Sequence, residues 1–98
     1  MKHGSLIYFL DGEGKLKPGS VTEEHFLLLI EMSSIHSDKV ISALKDFFVM
    51  GYTRKEACLK NDVSQSYFSI SLSRVQHMSK MASNIAPFYM HLWCQDGQ

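Results

Sequence analysis

Apolar residues recur through most of the chain at helical rather than strand spacing. The block Phe26–Met32 follows the hydroxyl residues Ser20 and Thr22 and the acids Glu23 and Glu24. Hydroxyls cap the first amides of a helix, and acids suit the positive end of its dipole. This predicts a helix from about Thr22 to Met32. Ser33, Ser34, His36 and Ser37 interrupt the pattern, and Ser37 is placed to cap a second helix bearing Val40, Ile41, Leu44, Phe47 and Phe48 on one stripe. Gly51 suits the left-handed residue after such a helix. Thr53 and Glu56 form a capping box for a short third helix carrying Arg54, Lys55, Ala57, Cys58 and Leu59. Asn61 and Asp62 tolerate a turn, Val63 is expected to plug the core, and Ser64 to cap a fourth helix. Along it Phe68, Leu72, Val75, Met78, Ala82 and Ile85 step by three or four until Pro87, which is expected to stop it.

The ends differ. Leu6–Leu10 is a short apolar run with strand-like content, and DGEGKLKPG after it breaks any regular element, so residues 1–19 read as an arm and loop. Residues 20–86 read as the helical core and residues 87–98 as an aromatic tail with Phe88, Tyr89 and Trp93. The expected fold is all-α: one small domain of about four helices with a helix-turn-helix and a short N-terminal arm. A chain of 98 residues has one core's worth of apolar side chains.

No stretch approaches the roughly 18–20 uncharged apolar residues of a membrane span, and Asp11 and Glu13 follow the N-terminal apolar run without a cleavage site. Cys58 and Cys94 are far apart and in no paired ligand spacing, which points to a reducing cytoplasm. His3, His25, His36, His77 and His91 include no pair at metal-binding helical spacing, so neither metal nor cofactor is expected. His36 is expected to order the serine-rich connector by hydrogen bonding, and His77 to extend the polar face of the fourth helix. The serines lack a nucleophile elbow, and Glu23 and Glu24, being adjacent, diverge from their helix, so the chain is not read as an enzyme.

Net charge is zero, but its distribution is uneven. Asp11 to Glu31 holds two lysines against five acids, whereas Arg54 to Lys80 holds five basic residues against Glu56 and Asp62. The basic half contains TRKEACLKNDVSQSYFSISLSRV, with the parts of a helix-turn-helix: a capped short helix, a small residue where helices touch, a tight turn, a plugging valine and a polar-faced second helix. With Phe68, Leu72 and Val75 inward, Ser66, Ser69, Ile70, Ser73, Arg74 and His77 turn outward. Short hydroxyls there, with Gln65 at the helix start and Lys55 on the helix before, suit close approach to bases and phosphates. Asn61 stands where such motifs often carry an apolar residue, predicting looser packing of the first helix. Cys58 admits two readings, a thiol activated by Arg54 and Lys55 or a small packing residue at a helix crossing; the second is adopted.

The run GSVTEEHFLLLIEMSSIHSDKVISALKDFFVMGYTRKEAC and the YFS and L-x-R residues after it resemble the PapB-type regulators of fimbrial adhesin operons of enteric bacteria, over roughly Pro18 to Pro87. The resemblance implies a cytoplasmic transcription factor, associated with the nucleoid when bound, that binds AT-rich repeats in double-stranded DNA cooperatively as a homo-oligomer. It also implies that Arg54 and Cys58 of TRKEAC are needed for DNA binding, Arg54 by direct contact. The family's partial reliance on the minor groove contrasts with the major-groove docking of a generic helix-turn-helix, and both stay open here. A different class also stays open: a protein-interaction adaptor burying the arm, the long fourth-helix stripe and the aromatic tail in a partner.

Overall fold

The structure, a computed structural model, describes residues 9–96, with side chains as far as Met90. Leu6, Ile7 and Tyr8 of the arm, His3, and the side chains of His91, Trp93 and Cys94 lie outside the described residues. Among the described residues four helices follow one another: α1 (Glu23–Ser33), α2 (Asp38–Phe48), α3 (Arg54–Asn61) and α4 (Gln65–Asp96). None is long and apolar enough to cross a membrane.

The starts of the first three helices follow the caps. Thr22 Oγ1 accepts from the His25 amide, Ser37 Oγ from that of Val40, and Thr53 with Glu56 closes a full capping box. Ser64 Oγ accepts from the Tyr67 amide at 3.1 Å and so opens α4. Ser34 and Asp62 take left-handed backbone conformations at the ends of α1 and α3. The expected helix end at Pro87 is not found: α4 continues through it to Asp96. Pro87 and the residue one turn before it, Ser83, are both exposed, so the carbonyl that loses its amide donor there faces water.

Phe26, Phe48, Phe68, Leu44, Val40 and Val75 are fully buried and draw all but α3 into one core; Ala57 and Cys58 of α3 close it. Phe47 meets Phe48 and Phe68 edge-on at 5.2 and 5.6 Å between ring centres. Ser71 and Ser79 are buried in α4, where small side chains let it lie against its neighbours. Ile85 of the expected stripe is exposed, because α4 runs on past the bundle.

The N-terminal stretch, expected as an irregular arm, turns back on its own chain. Leu10 and Leu16 form an antiparallel bridge, the Lys17 amide donates to the Phe9 carbonyl at 2.8 Å, and Leu16 is buried. The glycines that look like breakers serve a turn: Gly14 has φ +83°, and Asp11 Oδ1 accepts from the Glu13 and Lys15 amides at 2.8 and 2.9 Å. Gln76 of α4 fastens the returning strand at both of its polar atoms. Its Oε1 accepts from the Leu16 amide at 2.8 Å, and its Nε2 donates to the Leu16 carbonyl at 3.3 Å.

Candidate nucleic-acid interface

Arg54 and Lys55 open α3, the end of a helix where the dipole disfavours positive charge, so helix stability does not explain them. Arg54 Nη1 donates to Ser69 Oγ at 2.8 Å, and its guanidinium lies 5.8 Å from the centre of the Phe68 ring. A neutral hydroxyl and a ring face hold the side chain in place while its charge stays unneutralised. The turn that brings α3 onto α4 is short: after Asp62, the Val63 amide donates to the Cys58 carbonyl at 3.0 Å, and α4 begins at Gln65.

The candidate residues fall into three places. Arg54, Ser69, Ser73 and His77 line one groove of about 540 Å3, together with Lys80 and with Asp11, Glu13 and Lys15 of the N-terminal turn. Lys55, Cys58 and Gln65 line a second hollow on the outer side of the α3–α4 turn. Arg74 lies on the other flank of α4, in a groove shared with Tyr67, Ile70 and the connector Ser34–Ser37. Ser66 is exposed at the start of α4.

Cys58 is buried, and burial pushes its thiol pKa up, opposed by the nearby Arg54. It is therefore a protonated packing residue where α3 meets the core, and any part in binding passes through the placement of α3. His36 is exposed and its imidazole makes no hydrogen bond among the described residues. Instead, the connector it was expected to order is held by the Ser33 hydroxyl on the Leu29 carbonyl, the left-handed Ser34, buried Ile35 and the Ser37 cap. The loose packing expected at Asn61 is also corrected. Its Nδ2 donates to Asp46 Oδ2 at 2.9 Å and to the Ala57 carbonyl at 2.8 Å, so a polar clamp replaces the usual apolar contact.

The cations of the helices divide into paired and unpaired. Lys39 pairs with Asp62 at 3.4 Å, Lys45 with Glu23 at 2.9 Å and Lys60 with Asp46 at 3.7 Å. Arg54, Lys55, Arg74 and Lys80 have no ion pair among the described residues, and all four are exposed. Sequence reasoning passed over Lys80, although it follows Ser73 and His77 at helical spacing on the same face. It also passed over Lys15, which is brought to the groove by a turn with no periodic signature.

The family model for the PapB adhesin biosynthesis transcription regulatory proteins matches residues 3–89. The chain is 49% identical over 77 residues to the major pilus subunit operon regulatory protein PapB of Escherichia coli, covering 79% of this chain and 74% of that protein. It is also 49% identical over 84 residues to the AFA-III adhesin operon regulatory protein of Escherichia coli, covering 85% and 83%. Among solved structures, Escherichia coli FocB superposes with a TM-score of 0.74 at 45% identity, covering 79% of this chain and 88% of that one.

Proposed function

The chain belongs to the PapB family of adhesin biosynthesis transcription regulatory proteins, and from that premise we propose that it regulates a fimbrial adhesin operon by binding double-stranded DNA through α3 and α4 used as a helix-turn-helix. The observation that carries this reading is the set of unpaired cations, Arg54, Lys55, Arg74 and Lys80, around the polar face of α4 in a chain whose net charge is zero. Phosphates take up such cations with release of counterions, and none of these four has a carboxylate partner to give up first, whereas Lys39, Lys45 and Lys60 do.

In this mechanism Ser69 holds Arg54 toward the DNA, while Ser73 and His77 approach the backbone or base edges from the next turns of α4. Gln65 and Ser66 stand at the helix start, where recognition helices reach bases. Lys55 and Arg74 hold phosphates on either side and set the register. Cys58 supports the site by packing. The working partner is AT-rich repeated DNA, the working unit is a homo-oligomer, and the place of action is the cytoplasm at the nucleoid. Chemistry on a substrate has no part in it.

Met32 of α1 and Met81, Ile85 and Phe88 of α4 border an exposed apolar groove, and we assign self-association to it. Joining copies on adjacent repeats raises affinity through effective concentration, which offsets the modest charge of each copy. The test is a mobility-shift titration on duplexes with one and with three AT-rich repeats, beside light scattering, for the wild type and Ile85→Lys. Cooperative binding to three repeats, lost in Ile85→Lys with single-repeat binding retained, is the expected result. Absence of DNA binding with retained self-association would instead favour a protein-interaction adaptor.

A further inference from the structure

Resting on the DNA-binding reading above, we infer that the N-terminal turn Asp11–Lys15 is a second DNA-contacting element, a wing whose Lys15 holds the same phosphate strand as Arg54 and Lys80. The groove of about 540 Å3 has two walls. One is the strip of α4 carrying Ser69, Ser73 and Lys80, with Arg54 reaching over from α3; the other is the turn. From Ser69 to Lys80 the strip rises about 16 Å at 1.5 Å per residue, the axial length of about five phosphates of one strand. A trough of that length with a cation on each wall and the hydroxyls of Ser69 and Ser73 along the α4 wall suits a backbone rather than a base edge.

The turn is built rigidly enough to present a contact. Asp11 Oδ1 binds the amides of Glu13 and Lys15, the Asp11 amide donates to the Lys15 carbonyl at 2.7 Å, and Leu16 is buried and held at both its backbone groups by Gln76. Little ordering entropy is left to be lost on binding. The two acids in this wall do not close it to phosphate. The carboxylate of Asp11 stays ionised, its pKa held below the usual value by backbone amides, but the two amides on Oδ1 partly offset its charge. Glu13 meets Lys15 only at 4.0 Å, with both side chains well exposed. Such a pair is worth little in water, so Lys15 exchanges it readily for a phosphate.

Lys15→Ala, Glu13→Gln and Arg54→Ala are compared with the wild type by titrating an AT-rich duplex across a range of salt concentrations. Lys15 and Glu13 are exposed, so these variants keep the fold. Lys15→Ala is expected to weaken binding several-fold on all sequences alike and to reduce the salt slope by about 1, as loss of one phosphate contact does. Glu13→Gln is expected to tighten binding by removing the competing carboxylate. Wild-type affinity and slope in Lys15→Ala, or weaker binding in Glu13→Gln, overturns the wing. If Arg54→Ala alone loses affinity, the wing falls and the α3–α4 reading stands; if Lys15→Ala alone loses affinity, the wing stands and the role given to Arg54 falls.

Discussion

Asn61 at the end of α3 donates a hydrogen bond of 2.9 Å to the nearly buried carboxylate of Asp46 in α2. The same amide nitrogen also binds the Ala57 carbonyl, and Lys60 lies 3.7 Å from the same Asp46 oxygen. The angle at which α3 presents Arg54 thus depends on a polar clamp, where a hydrogen bond to charge is worth about 1.5–3 kcal/mol. Asn61→Ala is expected to lower stability by about that amount in urea unfolding. A loss within error of zero would show that Lys60 and water satisfy Asp46 alone.

Gly19 and Gly51 are in backbone contact where the chain enters α1. A Cβ on Gly19 would stand 3.0 Å from Gly51 Cα, and φ at Gly19 is +73°. Gly19→Ala therefore combines strain with a clash against backbone, and about 1–3 kcal/mol of stability should go. Gly12→Ala, with open space around it, is the comparison that should change little. Equal thermal stability of the two variants would contradict the close approach.

His25 packs edge-on against Phe9 at 4.8 Å, and burial lowers its pKa from the ordinary 6.5. Above that value the imidazole is neutral in both folded and unfolded chains and adds no pH dependence. As pH falls below it, the unfolded chain binds a proton that the folded His25 resists, and stability declines until the folded value is passed. His25→Phe should flatten the curve of melting temperature against pH on the acid side of the ordinary 6.5. An unchanged curve would place the titration elsewhere.

The protonated, buried thiol of Cys58 is expected to react slowly with a thiol reagent at neutral pH and rapidly once the chain is unfolded. A Cys94→Ser background isolates it in a stopped-flow labelling experiment. Native labelling as fast as that of the unfolded chain would contradict the burial and restore the activated-thiol reading.

Much of this was legible in the sequence because helix starts are written locally. Thr22, Ser37 and the Thr53–Glu56 box each act within one turn, and the stripe Phe68, Leu72 and Val75 needs only helical spacing to be assigned inward. What escaped depends on distance along the chain. Asp46 has the look of a solvent-facing acid until its partner fifteen positions on is in place. The N-terminal turn closes on itself locally through Asp11 and Gly14, but its docking onto α4 rests on Gln76, sixty positions from Leu16. Pro87 misled for another reason: its penalty is intrinsic, but an exposed helix surface lets water take the carbonyl it leaves unpaired. Within the candidate groove, Ser69, Ser73 and His77 were assigned by helix face and Arg54 by the family resemblance, whereas Ser69's use as the acceptor for Arg54 required the crossing of α3 and α4.

If the unpaired cations around α4 hold DNA, Arg54 is foremost among them. The most direct measurement is the salt dependence of affinity for an AT-rich duplex in the wild type and in Arg54→Ala, with circular dichroism to verify the fold. Wild-type affinity should fall steeply with salt. A folded Arg54→Ala should bind about tenfold or more weakly at low salt, with a slope shallower by about 1. Binding that is insensitive to salt, or an Arg54→Ala chain with wild-type affinity and slope, would contradict that role.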